Sequence, residues 1–567
     1  MRLFIPILLL LILSQHACVR EPDEMGPVAD RTLDDLSDKT DYLENMLIDC
    51  SFYKGLKVEK LLVNGILHDT DDVLELEGAG FYRIEIFQGR IGQAPTDLIR
   101  IVILDPERGN PEWGLPPWTP REPVYGAIGD LEPDLVYTRA APAGAAVPLV
   151  ILMGEQLTSS DLYLNAALGS TSFRIKRGVG SVQVQAENHN SMLQIDSRDF
   201  ELDISIIQTP SLQLSGVLEA DLQVPAGSHV HISDELTIPE GISLEIGSGS
   251  FITLASGINV INNGSLSLAG SAGEPVTITC SDKGAYWGGF IGRSSGNRIE
   301  ASYTIFSRSG HNTGGEYAYG HAGRQALFYS ENGELVLDHC FMIDHVGQIF
   351  YPLSCRLELT ECLVQRAKTG GQMNQSEVFM DRCLFTDFPD DSEEYRDEDN
   401  DGLYLNECNA YIANSVFMYA KDDGLDSGAS GGGEVQINSC RFEANYHEGA
   451  ALSSGNPVTK LHHIRNSVFT NNGQGLELGY SSSNHQVIAD SCVFLANGVG
   501  IRFGDCYDWG VYRGNLLVQN SLSLENTYHD VWNMNRRDWA ADTSHMSFLN
   551  VYVSKPNPMY PELLVYE

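Results

Sequence analysis

From Leu218 onward the chain alternates apolar and polar positions in very short runs: Leu236-Thr237-Ile238, Leu244-Glu245-Ile246, Phe251-Ile252, Ile258-Asn259-Val260, Leu266-Ser267-Leu268 and Val276-Thr277-Ile278, each closed by Gly, Asn or Ser. Strict alternation predicts strands, because successive side chains point to opposite faces. Strands this short cannot fill a sandwich, but three of them per coil suit a solenoid with one narrow core. Within the rhythm a small side chain is followed two places later by a bulky one: Thr304/Phe306, Cys340/Met342, Cys362/Val364, Cys383/Phe385, Ser415/Phe417, Cys440/Phe442, Ser467/Phe469, Cys492/Phe494 and Ser521/Ser523. A period of two turns both members of a pair inward. Stacking coil on coil at about 4.8 Å then makes one file of small residues and one of aromatic rings.

The earlier part of the chain has longer strand patterns. Val58–Val63, Val73–Leu76, Phe81–Ile86 and Leu98–Ile103 are rich in β-branched residues and separated by Asn-Gly, Gly-Ala-Gly and Pro turns, which predicts a small β-sandwich over 55–106. The stretch 107–123 carries Trp113, Trp118 and five prolines; prolines cannot donate ladder hydrogen bonds, so it reads as a boundary. A second β domain or N-terminal cap is expected over 124–216, the solenoid over 217–549 and a tail over 550–567. The fold class expected is all-β, a right-handed parallel β-helix (solenoid) preceded by one or two small β-sandwich-like domains. The ladder resembles that of the right-handed parallel β-helix, or pectin-lyase-like, superfamily, and the resemblance covers about Leu218 to Leu549. Trp287-Gly288-Gly289 after a strand is similar to proteins of the same class.

Met1-Arg2 precedes an apolar run from Leu3 to Leu13, too short to cross a bilayer at 1.5 Å per helical residue. It reads as an export signal over 1–17. Ala17-Cys18 resembles the bacterial lipoprotein signal, although Gln15 stands where that family usually has Leu; the resemblance implies a diacylated Cys18, a membrane partner and an outer-membrane, cell-surface location. Residues 18–54 form an acidic tether, with helical spacing near Leu33 to Leu47.

Charge narrows the partners: 76 acidic against 36 basic residues give a formal net charge of −40, which disfavours binding nucleic acid through its phosphates. Eleven cysteines in an exported chain would ordinarily suggest disulfides. Here at least five are ladder rungs, whose Cβ vectors run side by side, so buried free thiols are expected instead.

A second column lies just after the turns: Asp401-Gly402, Asp423-Gly424, Glu448-Gly449, Gln474-Gly475 and Val499-Gly500 occupy matching places. Stacking brings Asp401, Asp423 and Glu448 to steps of about 5 Å, with Asp399, Asp422 and Asp426 flanking, and hard oxygen ligands at that spacing suit Ca²⁺. Asp422-Asp423-Gly424-Leu425-Asp426 looks like the D-D-G-x-D calcium motif of certain β-helix pectate lyases. That resemblance implies a Lys or Arg base, yet Glu477 stands in the neighbouring coil and Arg502 about 14 Å along the axis from Asp426. A hydrolase needs two carboxylates about 5 to 9.5 Å apart, which Asp426 with Glu477 provides. Asp426, Glu477 and Arg502 are thus the candidate catalytic residues. His311, Tyr317 and Tyr319, in a Gly-rich insertion, and Trp532 near the end are candidates for contact with glycan, since aromatic faces stack on sugar rings. The sequence favours a non-catalytic surface scaffold that binds polysaccharide or an envelope protein, with structural calcium; the alternative is a calcium-dependent polysaccharide lyase or glycoside hydrolase acting on acidic glycans.

Overall fold

The computed structural model describes residues 132–566, except 155–161, 188–190, 208–211, 312–315, 321, 390–399, 428–432, 453–459, 480–484, 505–511, 534–535 and 538–539; before residue 132 it describes only strands between 31 and 125. Cys18, Asp399 and the Pro/Trp boundary lie outside the described residues. No helix occurs among those that are described.

Met1–Arg108 is one unit. Its strands form a three-stranded sheet, in the order Arg31–Thr32, Asn45–Asp49, Val73–Glu77, and a five-stranded one built on Gly80–Phe87 and Asp97–Ile103. Of the stretch Leu33 to Leu47, expected to have helical spacing, Lys39–Asp41 and the start of Asn45–Asp49 are strand and the other residues lie outside those described. Asn45–Asp49 instead pairs antiparallel with Val73–Glu77, so cross-strand partners override a weak local helical spacing.

In the second unit, Gly109–Glu567, the solenoid dominates. Its parallel ladder runs from Leu212–Val217 to Leu564–Val565, through the residues set aside as a tail, and over most of its length a strand pairs with the third one after it. Three strands per coil make three faces. On the first, the predicted ladder holds rung by rung: Phe306 registers with Met342, Met342 with Val364, Val364 with Phe385, then Phe417, Phe442, Phe469 and Phe494. Rings in this file lie nearly parallel, with centroids 5.1 Å apart for Phe385–Phe417, 5.4 Å for Phe417–Phe442, 4.7 Å for Phe442–Phe469 and 4.9 Å for Phe469–Phe494. Cys340, Cys362, Cys383, Cys440 and Cys492 are buried free thiols in the small-residue file; each Sγ is directed at the carbonyl two residues before it and at one in the preceding coil, as with Cys383 on Asp381 and Leu359.

Three residues after the ring position runs a further file, Asn445, Asn472, Asn497 and Asn526. Each Nδ2 of the first three donates to the Oδ1 of the next, at 2.9, 3.0 and 3.1 Å, and to a main-chain carbonyl of the coil before. These amides satisfy buried backbone groups at a turn that the strand ladder leaves behind.

The outward side of the first face is covered. Val136, Val150 and Val179 of the small β domain between Asp134–Val136 and Ser205–Ile207 pack on Ile305, Phe341, Leu363, Leu384, Val416 and Met418. Buried ion pairs Lys176–Asp387 (2.5 Å) and Arg177–Glu443 (2.9 Å) fix its placement along the flank. The third face is solvated and laced with charge, as in Arg298–Glu334 and Arg356–Glu377. The second face, strands such as Gln348–Leu353, Leu425–Ser427 and Glu448–Ala451, carries the acidic column.

Candidate functional site: the outer side of the second face

Two columns run side by side along the second face. The first stacks Gln348, Thr369, Asp401, Asp423, Glu448 and Gln474: Thr369 donates to the Asp401 carbonyl at 2.9 Å, the Asp423 N–H donates to Asp401 Oδ1 at 3.4 Å, and the Glu448 N–H to Asp423 Oδ1 at 2.9 Å. The second runs Tyr329, Tyr351, Gln372, Tyr404, Asp426, Ala451, Glu477, Arg502 and Trp532 in unbroken register. Eight coil steps separate Tyr329 from Trp532, about 38 Å at 4.8 Å per step.

The glycines after the acids explain why the columns stay straight. A Cβ on Gly402, Gly424, Gly449 or Gly475 would lie 2.4, 2.6, 2.7 or 2.4 Å from the carbonyl oxygen of the next glycine in the file. Only a residue without a side chain lets the coils stack there.

Asp401, Asp423, Glu448, Glu477 and Arg502 are buried, and Asp422, Asp426 and Trp532 half-buried. Burial, and next to it the Glu448 carboxylate, pushes the Asp423 carboxyl well above the ordinary carboxylate range. Burial would raise Glu448 too, but Arg502 and the hydrogen bond with Asp423 outweigh it and hold it low. Arg502 Nη2 lies 2.9 Å from Glu448 Oε1 and also pairs with Glu477, while Gln474 Nε2 donates to the same Glu448 oxygen. Asp422 Oδ1 meets His447 Nδ1 at 2.5 Å, and ligand atoms of Asp422, Asp423 and His447 all lie within 4.8 Å of one another.

At the other end, Tyr319 comes from a two-residue strand paired antiparallel with Arg324–Glu331. Its ring stacks on Tyr351 at 5.7 Å; Tyr329 also stacks on Tyr351 at 5.7 Å, and Tyr317 lies 5.5 Å from Tyr329. Arg293 sits over the Tyr317 and Tyr329 rings at 4.8 and 5.8 Å. Tyr319 is exposed and Tyr351 half-buried. Trp532 stacks on His529 at 5.5 Å, on a strand that continues the face.

Of the residues singled out by sequence, Asp401, Asp422, Asp423, Asp426 and Glu448 fall in adjacent coils, and Asp426, Glu477, Arg502 and Trp532 share one column. Tyr317 and Tyr319 flank its start. His311 is exposed, with its N–H on the Trp287 carbonyl at 3.1 Å. Sequence reasoning passed over Tyr329, Tyr351, Gln372 and His447 and named Gln474 only as a place in the acidic column. Each sits in register with a neighbouring coil, a signal that register alone could have supplied.

No curated protein matches the chain. A crystal structure of PfbA, a surface adhesin of Streptococcus pneumoniae, aligns with 11% identity and a TM-score of 0.29, covering 59% of this chain and 85% of that one. Residues 325–494, which include most of both columns, match the family described as the right handed beta helix region, and the solenoid is a right-handed parallel β-helix.

Proposed function

We propose that the outer side of the second face binds an extended polysaccharide chain, in a protein held at the bacterial cell surface by a lipid on Cys18. The observation that carries this reading is the single column that joins a tyrosine platform, an amide, a carboxylate cluster and a tryptophan along the solenoid axis. Aromatic faces at both ends suit sugar rings, and polar groups between them suit hydroxyls. A polymer lying along the axis meets a new side chain at each coil. Affinity electrophoresis of the full chain in gels containing neutral, acidic or amino polysaccharides tests it. Retardation by at least one polymer, reduced by both Tyr351→Ala and Trp532→Ala, is expected; mobility unchanged in every gel refutes it. Metabolic labelling with a fatty acid, abolished by Cys18→Ser, tests the anchor separately.

A second reading, hydrolysis of the bound chain, is favoured by one arrangement: two carboxyl groups lie side by side, Asp423 pushed up by burial and Glu448 held low by Arg502, as an acid and base pair requires. Release of reducing ends, lost on Asp423→Asn, would establish it. Lyase chemistry has weaker support, because Arg502 is clamped by two carboxylates and gives up a proton reluctantly. A cation on this face would draw on Asp422, Asp423 and His447, with Asp401 and Asp426 adjacent, since Glu448 is engaged by Arg502 and Gln474. The imidazole suits a softer divalent ion than calcium, so calcium would rest on the four aspartates alone. Calorimetric titration after chelation, with calcium and with manganese, separates the two ions.

A further inference from the structure

We propose, resting on the groove reading above, that the middle of this face selects polysaccharide chains bearing free amino groups over uncharged chains and turns polyuronates away. The argument begins with charge. Six carboxyl groups, Asp401, Asp422, Asp423, Asp426, Glu448 and Glu477, are gathered over four coils, and the cations among them are already committed: Arg502 to Glu448 and Glu477, and His447 to Asp422. Even with half-buried Lys368 and Lys421 on the same flank, the balance is acidic.

Hydrogen bonding points the same way independently. Gln474 is 2% exposed, and its Nε2 is spent on Glu448, which fixes the amide and leaves Oε1 beside that carboxylate with no donor. Asn400, fully buried next to Asp401, gives its Nδ2 to the Lys368 carbonyl at 2.9 Å and likewise has an Oδ1 without a donor. Buried acceptors without donors are costly, and two of them against one donor without an acceptor, Arg502 Nε, leave the site short of donors. An ammonium group is all donor: three N–H bonds, no lone pair and a positive charge. A uronate brings the opposite on every count.

Between Asp426 and Glu477 the register puts Ala451, the smallest side chain of the file, with Glu448 in the adjacent column. A substituent on a sugar ring seated there would meet carboxylates above, below and beside it. Tyrosines at one end and Trp532 at the other hold the flanking rings whatever their charge.

The test uses the full chain and three length-matched hexasaccharides, of glucose, glucosamine and galacturonate, in calorimetric titrations at mildly acidic pH where the amines are charged. Expected is binding of the glucosamine hexamer about tenfold tighter than the glucose hexamer, the worth of roughly one partly buried ion pair, with the preference shrinking as salt is added. Asp426→Asn should erode the preference for glucosamine over glucose; Tyr351→Ala should weaken both. Added calcium should compete with the glucosamine chain. Equal affinity for glucose and glucosamine, or binding of galacturonate with or without calcium, overturns the proposal while the groove stands. If none of the three binds and no polymer retards the protein, the groove falls with it.

Discussion

Among the described residues His345, His462 and His485 are buried and kept neutral by the fold, and their removal from the pH response can be worked out in advance. Burial pushes His345 and His462 down to about 3 and His485 down to about 4, with the His485 imidazole adding to the effect on His462. His462 Nδ1 accepts the Val435 N–H at 3.1 Å, and its Nε2 shares a proton with His485 Nδ1, so neither ring has a place for a second proton. Each group is depressed relative to an unfolded value of about 6.5, so its contribution is fully present above that pH and is lost as pH falls towards the folded value. Between pH 8 and pH 5 each ring should cost about 2 kcal/mol, because the unfolded chain takes up a proton there and the folded chain does not. Asp423, raised by burial and Glu448, acts in the opposite sense, so the slope of the intact protein mixes both. A difference isolates the ring. In denaturant unfolding measured from pH 8 to pH 5, His462→Gln should lose about 2 kcal/mol less stability than the parent, whatever its stability at pH 8. Parallel pH profiles would refute the assignment of a neutral, buried ring.

The remaining expectations concern the stack itself. Gly449→Ala drives a methyl to 2.7 Å from the Gly475 carbonyl oxygen and 2.9 Å from Phe469, and should lower stability by about 1–3 kcal/mol in thermal unfolding, whereas Gly273→Ala, with nothing within 4 Å, should be near neutral. Asn472→Ala removes the acceptor for both Asn445 donors and the donor to Phe442 O, and should cost about 2–3 kcal/mol, with faster hydrogen exchange at the Asn445 amide. The ladder cysteines should resist a thiol reagent in the native protein and react together on unfolding, because burial pushes Cys440 and Cys492 up to about 12 and Cys362 and Cys383 well above the ordinary thiol range.

The ladder was legible because its rungs repeat in kind: Cys or Ser, then Phe, two places apart, says both strand and stack. The acidic file was legible for the same reason, through Asp-Gly and Glu-Gly. What stayed hidden was identity that changes from coil to coil. Tyr351, Gln372, Tyr404, Asp426, Ala451, Glu477 and Arg502 have no residue type in common, and only hydrogen-bonded register shows that they are neighbours. The asparagine file repeats three places after Phe442, Phe469 and Phe494, but asparagine is so common in turns that the spacing alone does not announce a file. Near Leu33 to Leu47 the partner strand lies at Val73–Glu77, and nothing local announces it.

The small domain along the first face has a mechanical consequence. In a plain solenoid each coil leans only on the next, so coils can be lost one at a time from either end. Here Thr138 is bonded to Thr277, Lys176 to Asp387 and Arg177 to Glu443, so a single folded body spans several successive coils like a splint. Under a pull on the C-terminus, the coils beyond Glu443 should peel away singly at low force, and those up to it should yield together as one larger event.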